Sequence, residues 1–446
     1  MPMRERPTAA LVIGLGRSGL AAARLLAARG WTVTVTDRRS EMELGEALDR
    51  LPPGVRTVLG GHPETALDGV GLVVTSPGVP PDAPILRAAA ARGLTVLPEI
   101  ELAWRHRREA PLVAVTGSNG KSTVTSLIAA ALCEGGIAAA AGGNLGTPAS
   151  ELVLKGGWDV WVLEVSSFQA EAFDEFRPDV AVLLNVSQDH LERHPDMEAY
   201  ARAKYRLFAR QRPEDTAVLN ADDRLAAATP TAARRRRFSL EAPADATVRD
   251  GTLVLDGEPL LPASALRIEG RHNVANALAA ALAAEAAGAP REAIRRALER
   301  FEGLPHRHRT VAERGGVRWV DDSKATNVGA AAAALAGYPE RSVHLILGGL
   351  GKGQSFEALA PAVRRAAVRV YLIGRDAGII AEALEGTAPL ERCGTLEEAV
   401  RRAAAAARPG ETVLLAPACA SFDQFTDYAA RGEAFARLAG EVAPCR

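Results

Sequence analysis

A lysine and two hydroxyl residues at the end of a glycine-containing loop carry the clearest chemical signal in the chain. The stretch VAVTGSNGKST occupies residues 113–123, with an apolar run before the loop and a helix-forming run after it. Backbone N–H groups at a helix N-terminus and the ammonium of Lys121 favour phosphate oxygens, and Ser122 or Thr123 can reach a magnesium ion. The usual phosphate loop has one more glycine, five residues before the glycine of Gly-Lys-Ser, where this chain has Val115. The sequence therefore predicts a phosphate site on a shorter loop.

Two further polar side chains follow apolar runs that are typical of buried strands. Glu164 ends the run WDVWVLE, and His190 follows the run VAVLLNVSQD. Because ligands bind at the carboxyl ends of parallel strands, we expect both side chains at the same sheet edge as the phosphate loop. There they could complete a magnesium site.

Lys204 is an unusual residue because it lies on an apolar helix face. In AYARAKYRLFARQ it shares that face with Tyr200 and Leu207. A buried lysine is costly unless it is paired or chemically altered. The alternative is a lysine whose stem packs while its amine reaches solvent, and the residues alone do not exclude it.

The N-terminal segment has the pattern of a nucleotide-binding βαβ unit. The run AALVI is followed by GLGRSGL, a helix-forming stretch, and TVTVTD, which ends at Asp37. Glycines spaced in this way let a pyrophosphate approach a helix N-terminus, and an acid after the second strand can hold a ribose or a base. A further strand-like run, LVVTSPGVP, ends in a loop that contains Gly78.

Alternating strand-like and helix-like runs predict an α/β fold of three domains. We expect an N-terminal Rossmann-like sheet over residues 1–98 and a central phosphate-loop ATPase with a parallel sheet over residues 99–302. A C-terminal Rossmann-like α/β domain is expected over residues 303–446. The run RRRR at 234–237 is predicted to be a solvated surface.

Composition excludes several classes of partner. The formal net charge of -1 gives no general attraction to nucleic acid or to an anionic membrane surface. No apolar run reaches the ~18 residues of a membrane span. The four cysteines are far apart in the chain, which suits a reducing compartment. We therefore expect a cytoplasmic protein, and we expect it to be a monomer.

Taken together, these motifs resemble the Mur ligase family of ATP-dependent amide-forming enzymes. The resemblance covers essentially the whole chain and includes the short glycine spacing of the loop. It rests on TGSNGKST, LEVSSFQ, NVSQDHLERH, ARAKYRLF, LNADD, EGRHNVANALAA and GLPHRHR. It implies a first domain for a UDP-sugar substrate, a central ATPase domain and a C-terminal domain that closes over the site.

Other stretches are most similar to family members that add D-glutamate to UDP-N-acetylmuramoyl-L-alanine. These stretches are GLGRSGLA, TSPGVP, PEIELAW, VDDSKATNVGA and APACASFDQFTDYAARGEAF. The resemblance implies ATP and Mg²⁺ as cofactors, an acyl-phosphate intermediate, and release of ADP and phosphate in peptidoglycan precursor synthesis.

The resemblance also implies roles for individual residues. Lys121 resembles the lysine that contacts the γ-phosphate, Lys204 the family's carbamylated lysine, and Asn144 a residue near the reacting substrate. His190 is both catalytic and a metal ligand, together with Ser122, Glu164 and Lys204. The nucleotide positions match Gly117, Ser118, Asn119, Gly120, Lys121, Ser122, Thr123, Asn276, Arg307 and Asp322. The amino-acid positions match Lys324, Thr326, Lys352, Ser421, Phe422 and Tyr428. The uridine positions match Arg17, Ser18, Asp37, Arg38 and Gly78.

Three alternatives compete with this interpretation. The first is a ligase of the same family that takes another amino acid or a folylpolyglutamate-type substrate. The second is a nicotinamide-dependent oxidoreductase, suggested by GLGRSGL and Asp37, which would leave Lys121 without a purpose. The third is a nucleotide-binding module without catalytic activity.

Overall fold

The computed structural model describes residues 9–107, 109–144, 146–189, 193–194 and 196–441. Within these residues the strands form three sheets of five, nine and six strands. Each sheet has an apolar cluster on both of its faces. Burial on both faces explains why the strands are short continuous apolar runs instead of alternating ones.

The first sheet is built from the N-terminal part of the chain. Its strands are β1 (Ala9–Ile13), β2 (Thr32–Asp37), β3 (Arg56–Leu59), β4 (Leu72–Thr75) and β5 (Thr95–Pro98). Its helices are α1 (Arg17–Ala28), α2 (Glu41–Leu44), α3 (Glu46–Asp49), α4 (Pro84–Ala91) and α5 (Glu99–His106). The strands are parallel, in the order β3-β2-β1-β4-β5. A Cβ atom on Gly19 would lie 1.8 Å from the Gly14 carbonyl oxygen, so only glycine allows α1 to pack this closely on the β1 turn.

The second sheet carries the phosphate loop. Its strands are β6 (Leu112–Thr116), β7 (Ala139–Gly143), β8 (Val160–Glu164), β9 (Val180–Leu183), β10 (Thr216–Asn220), β11 (Arg234–Phe238), β12 (Ala246–Arg249), β13 (Thr252–Leu255) and β14 (Glu258–Pro262). Its helices are α6 (Lys121–Glu134), α7 (Ala149–Lys155), α8 (Ser167–Glu171), α9 (Met197–Tyr205), α10 (Arg224–Ala227), α11 (Arg271–Ala286) and α12 (Arg291–Arg300). The order is β14-β13-β12-β11-β10-β9-β6-β8-β7.

One end of this sheet differs from the expected parallel arrangement. Strand β13 is antiparallel to both of its neighbours, β12 and β14. Their two connections are Asp250-Gly251 and Asp256-Gly257, and all four residues have positive φ. Asp-Gly with positive φ at both positions is the preferred two-residue hairpin turn, so the local sequence itself explains this hairpin pair.

The prediction of a solvated surface for residues 234–237 holds for three of the four arginines and is wrong for Arg236. These arginines begin β11, and successive side chains of a strand point to opposite faces. Arg236 shares the buried face with Phe238, and its guanidinium lies 2.6 Å from Asp256 and 2.8 Å from Glu285. Its neighbours in the run are exposed.

The third sheet is built from the C-terminal part of the chain. Its strands are β15 (Arg309–Arg314), β16 (Val317–Asp321), β17 (Val343–Gly348), β18 (Ala367–Ile373), β19 (Leu390–Gly394) and β20 (Thr412–Leu415). Its helices are α13 (Val328–Ala336), α14 (Ala360–Ala366), α15 (Ala377–Ala383), α16 (Leu396–Ala406) and α17 (Tyr428–Glu441). The order is β15-β16-β20-β17-β18-β19, and β15 alone of these six is antiparallel to its neighbour.

The predicted fold class is confirmed: the chain is α/β, with a Rossmann-like first sheet, a central phosphate-loop sheet and a C-terminal α/β unit. The domain limits at 98/99 and 302/303 stay a prediction. Among the described residues, no helix is both long enough and apolar enough to cross a bilayer.

Candidate active site

The phosphate loop connects β6 to α6 at the carboxyl edge of the central sheet. Gly120 has a φ of 85°, and a Cβ atom there would lie 2.4 Å from Oδ1 of Asn276. Both the conformation and the close approach of α11 therefore require glycine at this position. The Lys121 ammonium folds back over the loop and donates to the carbonyls of Gly117, at 2.8 Å, and Ser118, at 2.9 Å.

A carboxylate at the end of β8 faces the start of α6. The Ser122 hydroxyl donates to one oxygen of Glu164 at 2.5 Å, and the Asn144 amide donates to the other at 2.6 Å. Arg307, which precedes β15, donates to the same Ser122 hydroxyl at 2.7 Å. Four residues predicted from distant parts of the sequence therefore meet beside the phosphate loop.

Lys204 lies behind the loop, in the position that its helix phase indicated. Its side chain is 1 % exposed, so the alternative in which the amine reaches solvent is wrong. The amine donates to the Gly117 carbonyl at 3.0 Å and lies 4.3 Å from the centroid of the Tyr200 ring. Burial, and then the nearby charge of Lys121, hold the pKa of Lys204 well below its ordinary value.

The third sheet contributes two more lysines. The Lys324 ammonium lies 3.9 Å from the centroid of the Tyr428 ring, and burial, followed by the charge of Arg307, lowers the pKa of Lys324 to about 8. The Lys352 ammonium is 3.0 Å from a carboxylate oxygen of Asp189, which follows β9. This wall of the site therefore presents positive charge towards the phosphate loop.

These groups line one cavity of about 700 Å³ between the central and third sheets. Most of the residues predicted from the sequence lie on its walls. They are Ser118, Asn119, Gly120, Lys121, Ser122, Thr123, Asn144, Glu164, Asn276, Arg307, Asp322, Lys324, Thr326 and Lys352. The cavity is large enough for a nucleotide phosphate chain and an acceptor group side by side.

Other predicted residues lie outside these walls. Ser421 is buried, whereas Phe422 is 69 % exposed. Tyr428 lies beneath Lys324. His190 lies outside the described residues. Among the described residues, no group of three or more His, Cys, Asp or Glu side chains is arranged to hold a metal ion.

The residues predicted for a uridine nucleotide lie at the carboxyl edge of the first sheet. Both carboxylate oxygens of Asp37 accept hydrogen bonds from the guanidinium of Arg39, at 2.9 and 3.0 Å. The predicted Arg38 and Gly78 are exposed, and Ser18 is partly buried. Arg39 was not predicted from the sequence. Its position two residues after Asp37 was the one signal that the two side chains could pair.

One contact joins this edge to the central sheet. The Arg17 guanidinium donates to the Gly146 carbonyl at 3.3 Å, and Gly146 follows Asn144 by two residues. Pro77, in the loop after β4, lines the cavity itself. The first sheet therefore opens towards the same cavity as the phosphate loop.

Family comparisons agree with this arrangement. Residues 8–98 match the "Mur ligase MurD-like, N-terminal domain" model, residues 115–284 the "Mur ligase middle domain" and residues 306–419 the "Mur ligase, glutamate ligase domain".

Individual relatives match over nearly the whole chain. A UDP-N-acetylmuramoylalanine–D-glutamate ligase from Anaeromyxobacter dehalogenans (strain 2CP-C) is 47% identical, with 98% of each chain covered. A protein of the same name from Nitrosococcus oceani is 43% identical and covers 98% of this chain and 97% of its own. The solved structure of UDP-N-acetylmuramate-alanine ligase from Thermotoga maritima has the same fold, with a TM-score of 0.62, 20% identity, and coverage of 97% and 98%. The chain belongs to the Mur ligase family.

Proposed function

We propose that this chain joins D-glutamate to UDP-N-acetylmuramoyl-L-alanine and converts ATP to ADP and phosphate, a step of peptidoglycan precursor synthesis. The observation that carries the proposal is a single cavity between a phosphate loop and a cationic wall. Lys121 lies on one side of it, and Lys324 and Lys352 lie on the other. This charge distribution suits a nucleotide triphosphate on one side and a carboxylate-bearing amino acid on the other.

The chemistry follows from the poor reactivity of a carboxylate. Its charge is delocalised, so it resists attack by an amine until the γ-phosphoryl group of ATP is transferred to it. The amine of D-glutamate then attacks the acyl phosphate, and phosphate leaves the tetrahedral intermediate to give an amide. Lys121 and Arg307 offset negative charge on the phosphoryl group during transfer.

The donor set beside the loop fits Mg²⁺, which prefers oxygen ligands and takes few of them from protein. The Ser122 hydroxyl and the Glu164 carboxylate are 2.5 Å apart and buried. These two residues, with His190 and a carbamylated Lys204, would hold the ion. When bound, Mg²⁺ neutralises charge on the phosphate oxygens.

The carbamate would form on the neutral amine of Lys204. The lone pair of the nitrogen attacks the carbon of CO₂, an N–C bond forms while one C=O π bond opens to leave its electron pair on oxygen, and one N–H proton passes to solvent. Burial of Lys204 and its lowered pKa support this step, because both increase the neutral fraction of the amine. The product is an anionic oxygen ligand next to the phosphate loop.

The other residues predicted from the sequence are assigned to three ligands. Asn276 and Asp322 contact the nucleotide, with Asn144 near the reacting groups. D-glutamate is bound by Lys324, Thr326, Lys352, Ser421, Phe422 and Tyr428. The uridine nucleotide is bound by Arg17, Ser18, Asp37, Arg38 and Gly78. We propose that these sites belong to the domains 1–98, 99–302 and 303–446 of a cytoplasmic monomer.

A substrate-dependence assay tests the function. ADP release is measured with Mg²⁺, ATP and UDP-N-acetylmuramoyl-L-alanine, and with D-glutamate, L-glutamate, L-alanine or a diamino acid as the second substrate. We expect ADP release and amide formation with D-glutamate alone of these four. A preference for another amino acid, or ADP release that needs neither substrate, would contradict the proposal.

A further inference from the structure

Asn327 is a buried side chain between the phosphate loop and the third sheet, and it has no role in the mechanism above. It is 3 % exposed. Its amide oxygen accepts a hydrogen bond from the backbone N–H of Ala330 at 2.8 Å and so caps the start of α13. Its amide nitrogen donates to Oδ1 of Asn119 at 3.2 Å and to Oδ2 of Asp189 at 3.0 Å. We call this pair of donated bonds the closure contact.

The partners of the closure contact are themselves fixed. The backbone N–H of Asn119, in the phosphate loop, donates to the side chain of Asn185 at 2.9 Å, and its side-chain nitrogen donates to Ser187 at 3.2 Å. Asp189 is 7 % exposed and binds Lys352 through its other oxygen. Asn327 therefore meets acceptors whose orientation is already determined.

The start of α13 is also joined to the loop that carries Lys352. The backbone N–H of Val328 donates to the side chain of Gln354 at 3.0 Å, and Gln354 donates to the Ala418 carbonyl at 2.6 Å. A Cβ atom on Gly329 would lie 3.0 Å from the Ser187 hydroxyl, so α13 packs closely against the segment that follows β9. A displacement of the phosphate loop would therefore be transmitted to the cationic wall.

We propose that Asn327 is a positioning residue that couples the phosphate loop to closure of the third-sheet wall over the cavity. Asp322, Lys324, Ala325 and Thr326, which precede it, line that wall. The consequence for catalysis rests on the proposed function: a closed wall keeps water from the acyl phosphate. When closure fails, water attacks the intermediate, the bond between the acyl and phosphoryl groups breaks, and the original carboxylate and phosphate are released without an amide.

Two substitutions distinguish the coupling of the phosphate loop to the third-sheet wall from the capping of α13. Asn327→Ser keeps a side-chain oxygen that can cap α13 but removes both donated bonds of the closure contact. Asp189→Asn breaks one of the two bonds from the other side and leaves Asn327 intact, because the single amide oxygen accepts from the Lys352 ammonium and the amide nitrogen that then faces Asn327 is not an acceptor. Thr395→Ala is the matched control, because Thr395 caps α16, which lies outside the cavity walls, through a bond to Glu398.

The first measurement is hydrogen exchange of residues 322–336 with and without Mg·ADP. In the unmodified protein we expect ADP to slow exchange there by roughly tenfold, as a coupling of ordinary size would. Asn327→Ser and Asp189→Asn should lose most of this protection, while Thr395→Ala should keep it. The coupling is overturned if ADP protects both Asn327→Ser and Asp189→Asn as well as it protects the unmodified protein. A thermal melt identifies a variant that has not folded. The other variant then decides whether the phosphate loop and the wall are coupled.

The second measurement is the ratio of phosphate released to amide formed with D-glutamate. It should be about one in the unmodified protein and rise severalfold in Asn327→Ser, which a loss of stability alone would not cause. An unchanged ratio would overturn the role in excluding water. If the unmodified protein forms no amide with D-glutamate, the proposed function has failed, and the hydrogen exchange result still decides the coupling.

Discussion

Two partly buried lysines, Lys121 and Lys324, give the cavity its preference for anions. Burial is the largest cause of a lowered pKa at both, and the nearby charge of Arg307 adds to it. Each ammonium has lost hydration that backbone carbonyls and aromatic rings replace only in part. A bound phosphate or carboxylate would restore favourable charge interactions, so the site is organised for ligands that are not yet bound.

At Lys121 we expect substitution by alanine to abolish most ADP formation without unfolding the protein. Removal of one preorganised charge contact to a reacting group typically costs ~10²–10³ in rate. Initial ADP release at saturating substrates measures the effect. Lys155→Ala, at an exposed lysine at the end of α7, should keep its activity. Near-normal turnover of a folded Lys121→Ala variant would remove Lys121 from the mechanism.

At Lys204 we expect both alanine and arginine to lose ligase activity, because neither can form a carbamate. High bicarbonate should not restore either variant, whereas acetate should rescue part of the activity of Lys204→Ala by occupying the vacated space. With ¹³C-bicarbonate, a carbamate carbon signal should appear in the unmodified protein and be missing from Lys204→Arg. Wild-type turnover in both folded variants would show that Lys204 is only structural.

At the scale of elements, the joint between α5 and α7 contains a buried acid. Glu99, the first residue of α5, accepts a hydrogen bond from the backbone N–H of Ser150 in α7 at 2.6 Å. Its second oxygen is buried without a protein partner. Burial raises the pKa of Glu99 from 4.5 to about 7. The folded state therefore binds this proton more tightly than the unfolded chain does.

The Glu99 joint predicts a specific pH dependence of stability. Between pH 4.5 and 7 the folded state binds more protons at Glu99 than the unfolded state, so this stabilisation is lost as pH rises through 7. Above that pH the buried charge costs about 3 kcal/mol. Glu99→Gln keeps an oxygen for Ser150 and should raise the melting temperature at pH 8 but not at pH 5. Glu151→Gln, on a partly exposed side chain of α7, should show no such difference. Equal effects of Glu99→Gln at the two pH values would contradict the prediction.

At the scale of the molecule, the site exists only where the central and third sheets meet. The phosphate loop and Glu164 come from the central sheet, whereas Arg307 and Lys324 come from the C-terminal part of the chain. The hydrogen bond from Arg307 to Ser122 spans 185 positions of sequence. Ligand binding at such a junction should depend on how the sheets are held together as well as on the loop itself.

For Arg307→Ala we expect about tenfold weaker binding of Mg·ADP, because a charge-assisted hydrogen bond to the nucleotide region is lost. In the unmodified protein, ADP at 100 times its dissociation constant should stabilise the fold by ~2.7 kcal/mol. The same ADP concentration should stabilise the variant by about 1.4 kcal/mol less. Melting curves with and without ADP measure both effects, with the exposed Arg309→Ala as control. Equal stabilisation of the two variants by ADP would exclude this role for Arg307.

The sequence by itself determined the features that depend on neighbouring residues. The loop from Gly117 to Lys121, the strand that ends at Glu164 and the apolar face of Lys204 are local patterns, and their elements form as predicted. The parallel direction of the strands also brings their carboxyl ends to one edge of the sheet, so Glu164 could be placed at the edge of the phosphate loop before its contacts were known.

Only the tertiary structure decided which distant side chains meet. Arg307 meets Ser122 across 185 positions, which brings a guanidinium from the C-terminal part of the chain to the phosphate loop. Asn327 meets Asp189 across 138 positions, and neither residue stands out in its own segment. Such contacts depend on the packing of one sheet against another, which local propensity and periodicity do not specify.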